Sequence, residues 1–219
     1  MTVLPPKKLT EDSLYEIILA DIASGGLQGG QRLKVSDLAR QHDVSTSPVR
    51  EVLRRLQGEG FVDISPNRGA TVRKADADTI QNIFEILELI EPYFVTWFAQ
   101  YARAEDLDEM ENIQRRMKEL SCEDAAIFRP LDYQFHDFIS RNHYNTVAAE
   151  HWRKLRQALN VHSARLRISP QRFNQIIEEH DALLAALRAN DTVGSDKIIR
   201  THVKGSIQQM TQQMRALRL

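Results

Sequence analysis

The sequence is poor in cysteine and in long apolar runs. Its 219 residues include one cysteine, Cys122, so no disulfide can form within the chain, which favours a reducing compartment. No apolar run approaches the roughly 18 to 20 residues that a membrane-spanning helix needs, and the first residues, MTVLPPKK, lack the apolar core of a secretory signal. We therefore expect a cytoplasmic protein that has no membrane partner.

The chain also lacks a strong charge of either sign. Its formal net charge is −1, with 42% hydrophobic and 27% charged residues, a composition typical of globular domains. The charges are unevenly distributed, since residues 1–75 hold 11 lysines and arginines against 9 acidic residues and residues 76–219 hold 18 against 21. Six of the seven histidines lie in the second part. This asymmetry predicts two domains with different functions, 1–75 and 76–219.

The first domain is predicted to contain three short helices and a β-hairpin. Apolar residues at helical spacing mark two helices, the second of them over residues 35–42. The third has Ser47 as its expected N-cap and Pro48 at its first position. The period then changes, and residues 61–73 indicate two short strands around a ProAsnArgGly turn. Three helices followed by a hairpin are the plan of a winged helix-turn-helix.

The third helix has an outer face that suits DNA. Burial of its apolar stripe turns Arg50 and Arg54 outward, one turn apart. Its N-terminus offers hydroxyls and free backbone N–H groups to a phosphate, and an arginine can pair with guanine in the major groove. A merely solvated face remains an alternative, because Glu51 and Glu59 lie nearby. The predicted DNA-contacting residues are Ser45, Thr46, Ser47, Pro48, Arg50, Arg54 and, at the hairpin tip, Asn67, Arg68 and Gly69.

Residues 10–74 contain the short motifs GQRL, LARQHDVS, PVREVLRRL, EGFV and NRGATV, in that order. In order and spacing, these motifs resemble the DNA-binding domain of the GntR family of bacterial transcription regulators. The resemblance implies that Arg50 reads bases or phosphates from the recognition helix and that Arg68 lies at the wing tip. Many members carry arginine where this chain has Thr46, so an operator sequence cannot be transferred from a relative.

The second domain shows a helical pattern throughout, without a strand signal. We expect six helices, at about residues 77–101, 106–120, 123–142, 145–167, 170–190 and 193–217. The predicted fold is therefore mainly α, with an N-terminal winged helix-turn-helix and a C-terminal, all-helical ligand-binding bundle.

Four residues of the second domain form a candidate metal site. Asp132 and His136 are one helical turn apart, and His180 and His202 fall on two later helices. Helical bundles build interior metal sites from side chains on separate helices, and imidazoles with one carboxylate suit zinc, nickel, manganese or iron. A histidine by itself is more often a satisfied core or surface residue, and periodicity leaves open whether the four converge. The expected cofactor is a divalent metal ion.

The second domain resembles the ligand-binding FCD domain of one GntR subfamily, in its VanR-like branch. In that group an Asp-x-x-x-His pair and two later histidines hold a metal at the floor of an effector pocket, which implies the same role for the four residues here. Members often carry arginine at the position of Leu87, where it can meet an acidic effector. Either the metal and another cation, such as Arg165 or Arg153, would meet an acidic effector here, or the effector is larger and less acidic than the small hydroxy acids and sugar acids common in the family. Further candidates for the pocket are His162, Arg165, Arg153 and Leu87, whereas His143 and His151 are expected at the surface.

Together these features predict a one-component transcription regulator that acts as a repressor. The chain is not expected to be an enzyme. It would bind a palindromic operator as a homodimer and respond to a small, carboxylate-bearing effector in a metal-containing pocket. Two alternatives stay open. The Asp/His cluster could serve a metal-dependent hydrolase or oxygenase, or the chain could be a helical interaction adaptor with a degenerate wing.

Overall fold

The computed structural model of the protein describes residues 9–24, 26–65, 69–74, 77–163 and 166–217. These ranges contain nine helices and three short strands. The chain divides into two compact units at residue 75, except that residues 160–165 group with the first unit. Within the ranges described, no helix has the length and apolarity that crossing a membrane requires.

The first unit begins with three helices, α1 (Glu11–Ser24), α2 (Val35–Gln41) and α3 (Thr46–Gly58). Helices α1 and α2 both pack against α3. Their buried side chains recur at helical spacing and form a small apolar core: Leu14, Tyr15, Ile18, Leu19, Leu38, Ala39, Val49, Val52, Leu53 and Leu56.

Helix α3 begins earlier than the sequence predicts. Ser45 is its N-cap instead of Ser47, so Pro48 occupies the third helical position and not the first. Proline is tolerated there because the N–H groups of the first turn have no partner within the helix. Ser45, Thr46 and Ser47 are all competent N-cap residues, and only the packing of the helix selects among them.

The end of α3 requires a glycine. The N–H of Phe61 donates to the carbonyl of Leu56 at 2.9 Å and the N–H of Gly60 to that of Gln57 at 3.1 Å, which is a Schellman motif. Gly60 has a φ of +84°, a conformation in which a Cβ atom would be strained. This turn directs the chain from α3 into the sheet.

A three-stranded antiparallel sheet completes the first unit. Strands β1 (Arg32–Leu33), β2 (Val62–Ser65) and β3 (Gly69–Val72) lie in the order β1-β3-β2. Val62 pairs with Val72, and Leu33 pairs with Ala70. The predicted hairpin is present, whereas β1 was missed because two residues are too short to show alternation. Asn67 and Arg68, the predicted hairpin tip, lie outside the described residues.

The second unit has six helices, as the sequence predicts. They are α4 (Ala77–Tyr101), α5 (Ala104–Lys118), α6 (Ala125–Arg141), α7 (Thr146–Ser163), α8 (Pro170–Arg188) and α9 (Thr192–Leu217). Helix α9 packs against α4 and α8, and α5 packs against α6 and α8. The largest fully buried side chains of this unit are aromatic: Trp152, Phe84, Phe94, Phe98, Phe128 and Phe135.

Candidate functional site

The helical unit brings the four candidate metal ligands together. Asp132 and His136 lie on α6, His180 on α8 and His202 on α9. Each offers one ligand atom, and these four atoms all lie within 4.8 Å of one another. The three imidazole rings are buried, and their centroids are 4.9 to 5.2 Å apart. Side chains that are far apart in sequence therefore surround one small volume.

The polar atoms of this cluster fit a metal ion. Among the described residues, Nε2 of His136 and both ring nitrogens of His180 are buried without a hydrogen-bond partner, although buried polar groups are normally satisfied. Asp132 Oδ1 lies 3.9 Å from His136 Nε2 and 3.7 Å from His180 Nε2. Two ligand atoms at roughly 2.0 to 2.2 Å from one ion are at most about 4.4 Å apart, so these separations allow a shared ion.

Burial keeps two of these imidazoles in the neutral form. Desolvation lowers the pKa of His136 well below its ordinary value, and the charges of Arg156 and His202 act in the same direction. Desolvation, followed by the charge of His202, lowers the pKa of His180 to about 3. Metals bind neutral imidazole, so neither histidine has to lose a proton before it can act as a ligand at neutral pH.

Two further carboxylates lie next to the Nδ1 atoms of His136 and His202. Glu91 on α4 is 3% exposed, with Oε2 3.5 Å from His136 Nδ1 and Oε1 accepting a hydrogen bond from Trp152 Nε1 at 3.0 Å. Glu179 on α8 accepts a hydrogen bond from His202 Nδ1 at 2.8 Å. In metal sites the second imidazole nitrogen usually faces a carboxylate or a carbonyl in this way.

Arg156 is a cation beside the cluster, and sequence reasoning missed it. Its Nη2 donates to Asp132 Oδ2 at 3.3 Å, and its Nε lies 3.8 Å from Glu91 Oε1. The signal was a charge one turn from a fully buried apolar residue: Arg156 follows Trp152 by four positions, and Glu91 follows Leu87 by four. Such a charge lies on the face of the helix that points into the core.

Arg153, one of the two cations predicted for this pocket, faces elsewhere. Its side chain is 39% exposed and lies 4.0 Å from Asp137. Because Arg153 follows the buried Trp152 directly, it is turned about 100° around the helix axis from that residue. Arg156, one turn later, shares the direction of Trp152 and takes the place that we expected for Arg153.

Two of the remaining pocket candidates, Leu87 and His162, also lie outside the cluster. Leu87 is part of the apolar core of the helical unit. The ring of His162 lies 6.1 Å from the ring of Phe61, and the segment that carries His162 groups with the first unit. Arg165 is outside the described residues.

His143 is buried, contrary to the surface position expected for it. Its Nδ1 accepts the backbone N–H of Asn145 at 3.0 Å, and only 3% of the residue is exposed. The turn after α6 packs against α4, and four aromatic rings enclose the imidazole: Tyr93, Phe94, Trp97 and Tyr144. His151 is exposed, as expected.

Helix α3 of the first unit presents an exposed, polar face. Its N-cap and the first two helical residues carry exposed hydroxyls, and Arg50 and Arg54 are exposed further along. Arg54 Nη1 lies 2.7 Å from Glu51 Oε1, whereas the side chain of Arg50 has no ion pair or hydrogen bond with the part of the chain that the structure describes. The charge of Arg50 is thus available to a ligand of opposite sign. Of the predicted hairpin-tip residues, Gly69 is described and begins β3.

Comparison with known proteins gives matches in both units. Residues 10–72 match the family described as "Bacterial regulatory proteins, gntR family", and residues 82–205 match the FCD domain. The putative L-lactate dehydrogenase operon regulatory protein of Escherichia coli (strain K12) is 27% identical, covering 92% of this chain and 86% of its own. The gluconate operon transcriptional repressor of Bacillus subtilis (strain 168) is 26% identical, covering 81% and 74%.

The solved structure of E. coli McbR/YncC has the same fold. It matches with a TM-score of 0.76 at 23% sequence identity and covers 93% of this chain and 97% of its own. The predicted fold class is thereby confirmed. The matched families and the relatives are transcription regulators and not enzymes, which also confirms that expectation and removes the basis for a hydrolase or oxygenase.

Proposed function

The chain belongs to the GntR family of bacterial transcription regulators that carry an FCD domain, and we propose that it represses transcription as a homodimer on a palindromic operator. In this proposal residues 1–75 bind DNA, and residues 76–219 dimerise and bind a small effector next to a divalent metal ion. The observation that carries the proposal for the second domain is the buried convergence of the four ligand residues.

The exposed face of α3 supports DNA binding. The N–H groups of its first turn and the positive end of its helix dipole favour a phosphate next to Ser45, Thr46 and Ser47. Arg50 lies one turn further along, with its charge uncompensated by the described part of the chain, and can reach a base edge in the major groove. A two-fold homodimer presents two such helices, which is why the operator is expected to be palindromic.

Footprinting of the promoter region of its own gene tests this part. The expected result is one protected palindrome whose half-sites are separated by about one helical turn of DNA or a multiple of it. Protection at no palindrome, with and without added metal, would contradict the operator proposal.

A stripe of exposed apolar side chains on α4 supports dimerisation through the helical domain. Ile86, Leu89, Tyr93 and Tyr101 recur at helical spacing beside the buried face of α4, and Leu89 is 73% exposed. Tyr144 extends the stripe, since its hydroxyl lies 2.7 Å from that of Tyr93. Contiguous exposed apolar side chains mark interaction surfaces in soluble proteins, and a two-fold dimer would bury the same stripe on both subunits.

The metal-binding part of the proposal concerns Asp132, His136, His180 and His202. When bound, a divalent ion would supply a positive charge and open coordination positions for an oxygen ligand. The protein would add Arg156, which lies beside Asp132 and Glu91 and is mostly buried. Two cationic groups favour an effector that carries a carboxylate. The names of the two relatives refer to lactate and gluconate, which are both carboxylates.

Regulation in this scheme is a shift between two populations of the dimer. The effector can release DNA only if it binds the form with low DNA affinity more tightly than the form that binds DNA. A complete reversal from 1:99 to 99:1 requires a preference of about 10⁴-fold. Repression, rather than activation, is proposed from the name of the Bacillus subtilis relative.

Metal analysis of the purified protein tests the pocket. After incubation with zinc, nickel or manganese and removal of loosely bound ions, the wild-type protein is expected to retain about one ion per chain. His180→Ala should lose that ion, because His180 is one of four ligands. His151→Ala is the matched control, since His151 is an exposed histidine of α7. Equal metal content in His180→Ala and wild type would contradict the assignment.

A further inference from the structure

Four hydrogen bonds, one of them buried and three partly buried, connect His202, Glu179, Arg172 and Ser206. Glu179 Oε2 accepts from His202 Nδ1 at 2.8 Å, and Glu179 Oε1 accepts from Arg172 Nη1 at 2.9 Å. Arg172 Nη2 closes the set by donating to the carbonyl oxygen of His202 at 2.9 Å and to Ser206 Oγ at 3.0 Å. His202 is thereby held both at its imidazole ring and at its backbone carbonyl.

The carboxylate decides which nitrogen of His202 carries the proton. Glu179 is hydrogen-bonded at one oxygen by the permanently charged guanidinium of Arg172 and at the other by His202, and both contacts favour the ionised carboxylate. An ionised carboxylate can only accept, so the proton of a neutral His202 lies on Nδ1. The lone pair of Nε2 is then free, so Nε2 is the ring nitrogen that can serve as a ligand.

Gly205 makes room for this arrangement. A Cβ atom at position 205 would lie 2.5 Å from Arg172 Nη1 and 2.9 Å from Arg172 Cζ. Arg172 is 3% exposed, and its guanidinium makes several hydrogen bonds, so this group has little freedom to withdraw. Glycine is otherwise unfavourable inside a helix such as α9, and its presence here is explained by the space that Arg172 needs.

We propose that Glu179, Arg172 and Gly205 are positioning residues for the metal site, which hold His202 in the Nδ1–H tautomer with Nε2 directed at the other ligands. None of the three is a ligand. His180 differs, because its ring is oriented by stacking on Phe135 at a centroid distance of 4.1 Å. The inference rests on the metal pocket of the proposed function.

Zinc affinity of the full-length protein, measured by competition with a chromogenic chelator, tests the proposal. Glu179→Ala removes the acceptor, and Gly205→Ala displaces Arg172, so each should weaken zinc binding by about 10- to 100-fold. Glu179→Gln keeps an acceptor oxygen and should lose less affinity than Glu179→Ala. Gly58→Ala is the matched control, because a Cβ atom there meets nothing within 4 Å, and it should bind zinc like wild type.

Two measurements on metal-free protein distinguish a positioning effect on zinc affinity from a general loss of stability. The ¹⁵N chemical shifts of His202 should show the Nδ1–H tautomer in wild type and a mixture of tautomers in Glu179→Ala. Gly205→Ala should lose more zinc affinity than its fall in metal-free unfolding temperature accounts for, because the helix preference of alanine offsets part of the cost of displacing Arg172.

The outcomes distinguish this inference from the proposed pocket. If wild type binds zinc and both Glu179→Ala and Gly205→Ala bind it equally well, the positioning role is overturned while the pocket stands. An Nε2–H tautomer in metal-free wild type would also overturn it. If wild type itself binds no zinc, nickel or manganese, the pocket fails and the positioning role fails with it.

Discussion

Replacement of Arg50 by alanine is the sharpest test of DNA recognition by this protein. Arg50 and Arg54 are both exposed on α3, but Arg54 is paired with Glu51 at 2.7 Å. Arg54 must therefore weaken an existing ion pair before it binds DNA, whereas Arg50 has no such pair with the described residues. Of the two exposed arginines of α3, Arg50 should accordingly contribute more to the affinity for DNA.

The size of the effect follows from the proposed two-fold assembly. One good arginine–guanine pair contributes about 1 to 3 kcal/mol of discrimination, and a homodimer places two copies of Arg50 on the operator. Arg50→Ala should thus cost roughly 2 to 6 kcal/mol, which corresponds to about 30-fold to 10⁴-fold in affinity. If Arg50 binds phosphates instead, the affinity will fall similarly on all sequences, and the salt slope will decrease by about 0.9 for each phosphate that is no longer neutralised.

Fluorescence anisotropy with the footprinted operator and with a scrambled duplex, at several salt concentrations, separates these two cases. Arg115→Ala is the matched control, because Arg115 is an exposed arginine of α5 that lies 3.6 Å from Glu119. Wild-type affinity and an unchanged salt slope in Arg50→Ala would refute the assignment of α3 as the DNA-contacting helix.

Three further predictions concern stability and assembly. Gly60→Ala should destabilise the first domain by about 1 to 2 kcal/mol because of its φ of +84°. Gly58→Ala should instead stabilise this domain by about 0.5 to 1 kcal/mol, because glycine is unfavourable in a helix. Thermal unfolding in which both substitutions change the stability in the same direction would contradict this. Burial lowers the pKa of His143 below its ordinary value of 6.5, so its neutral form stabilises the fold above about pH 6.5 and this stability is lost as the pH falls below that value. His143→Gln should reduce the slope of unfolding free energy in that window by up to about 1.4 kcal/mol per pH unit, and His151→Gln should leave it unchanged. Leu89→Asp should yield monomers by analytical ultracentrifugation at concentrations where wild type is a dimer, and an intact dimer would exclude the α4 stripe as the interface.

The helices and the hairpin could be predicted because their signals are local. The apolar stripe of α3 and the Asp132–His136 pair each depend on residues within a few positions of one another, where helical geometry fixes the shared face. Helix ends were less certain. Helix α5 begins at Ala104 and not near residue 106, because the Asp106 side chain accepts the N–H of Arg103 at 3.0 Å and so stabilises an earlier start.

The sequence by itself determined the family, the six helices and the identity of the four candidate ligands, since each rests on residue order and periodicity. Only the tertiary structure decided that His180 and His202 face Asp132 and His136, because that depends on how α8 and α9 pack against their neighbours. The same packing put Arg156, and not Arg153, beside the cluster. It also enclosed His143 among aromatic rings. Contacts between helices that are distant in sequence are set by the shapes of whole buried faces, which no short stretch of residues contains.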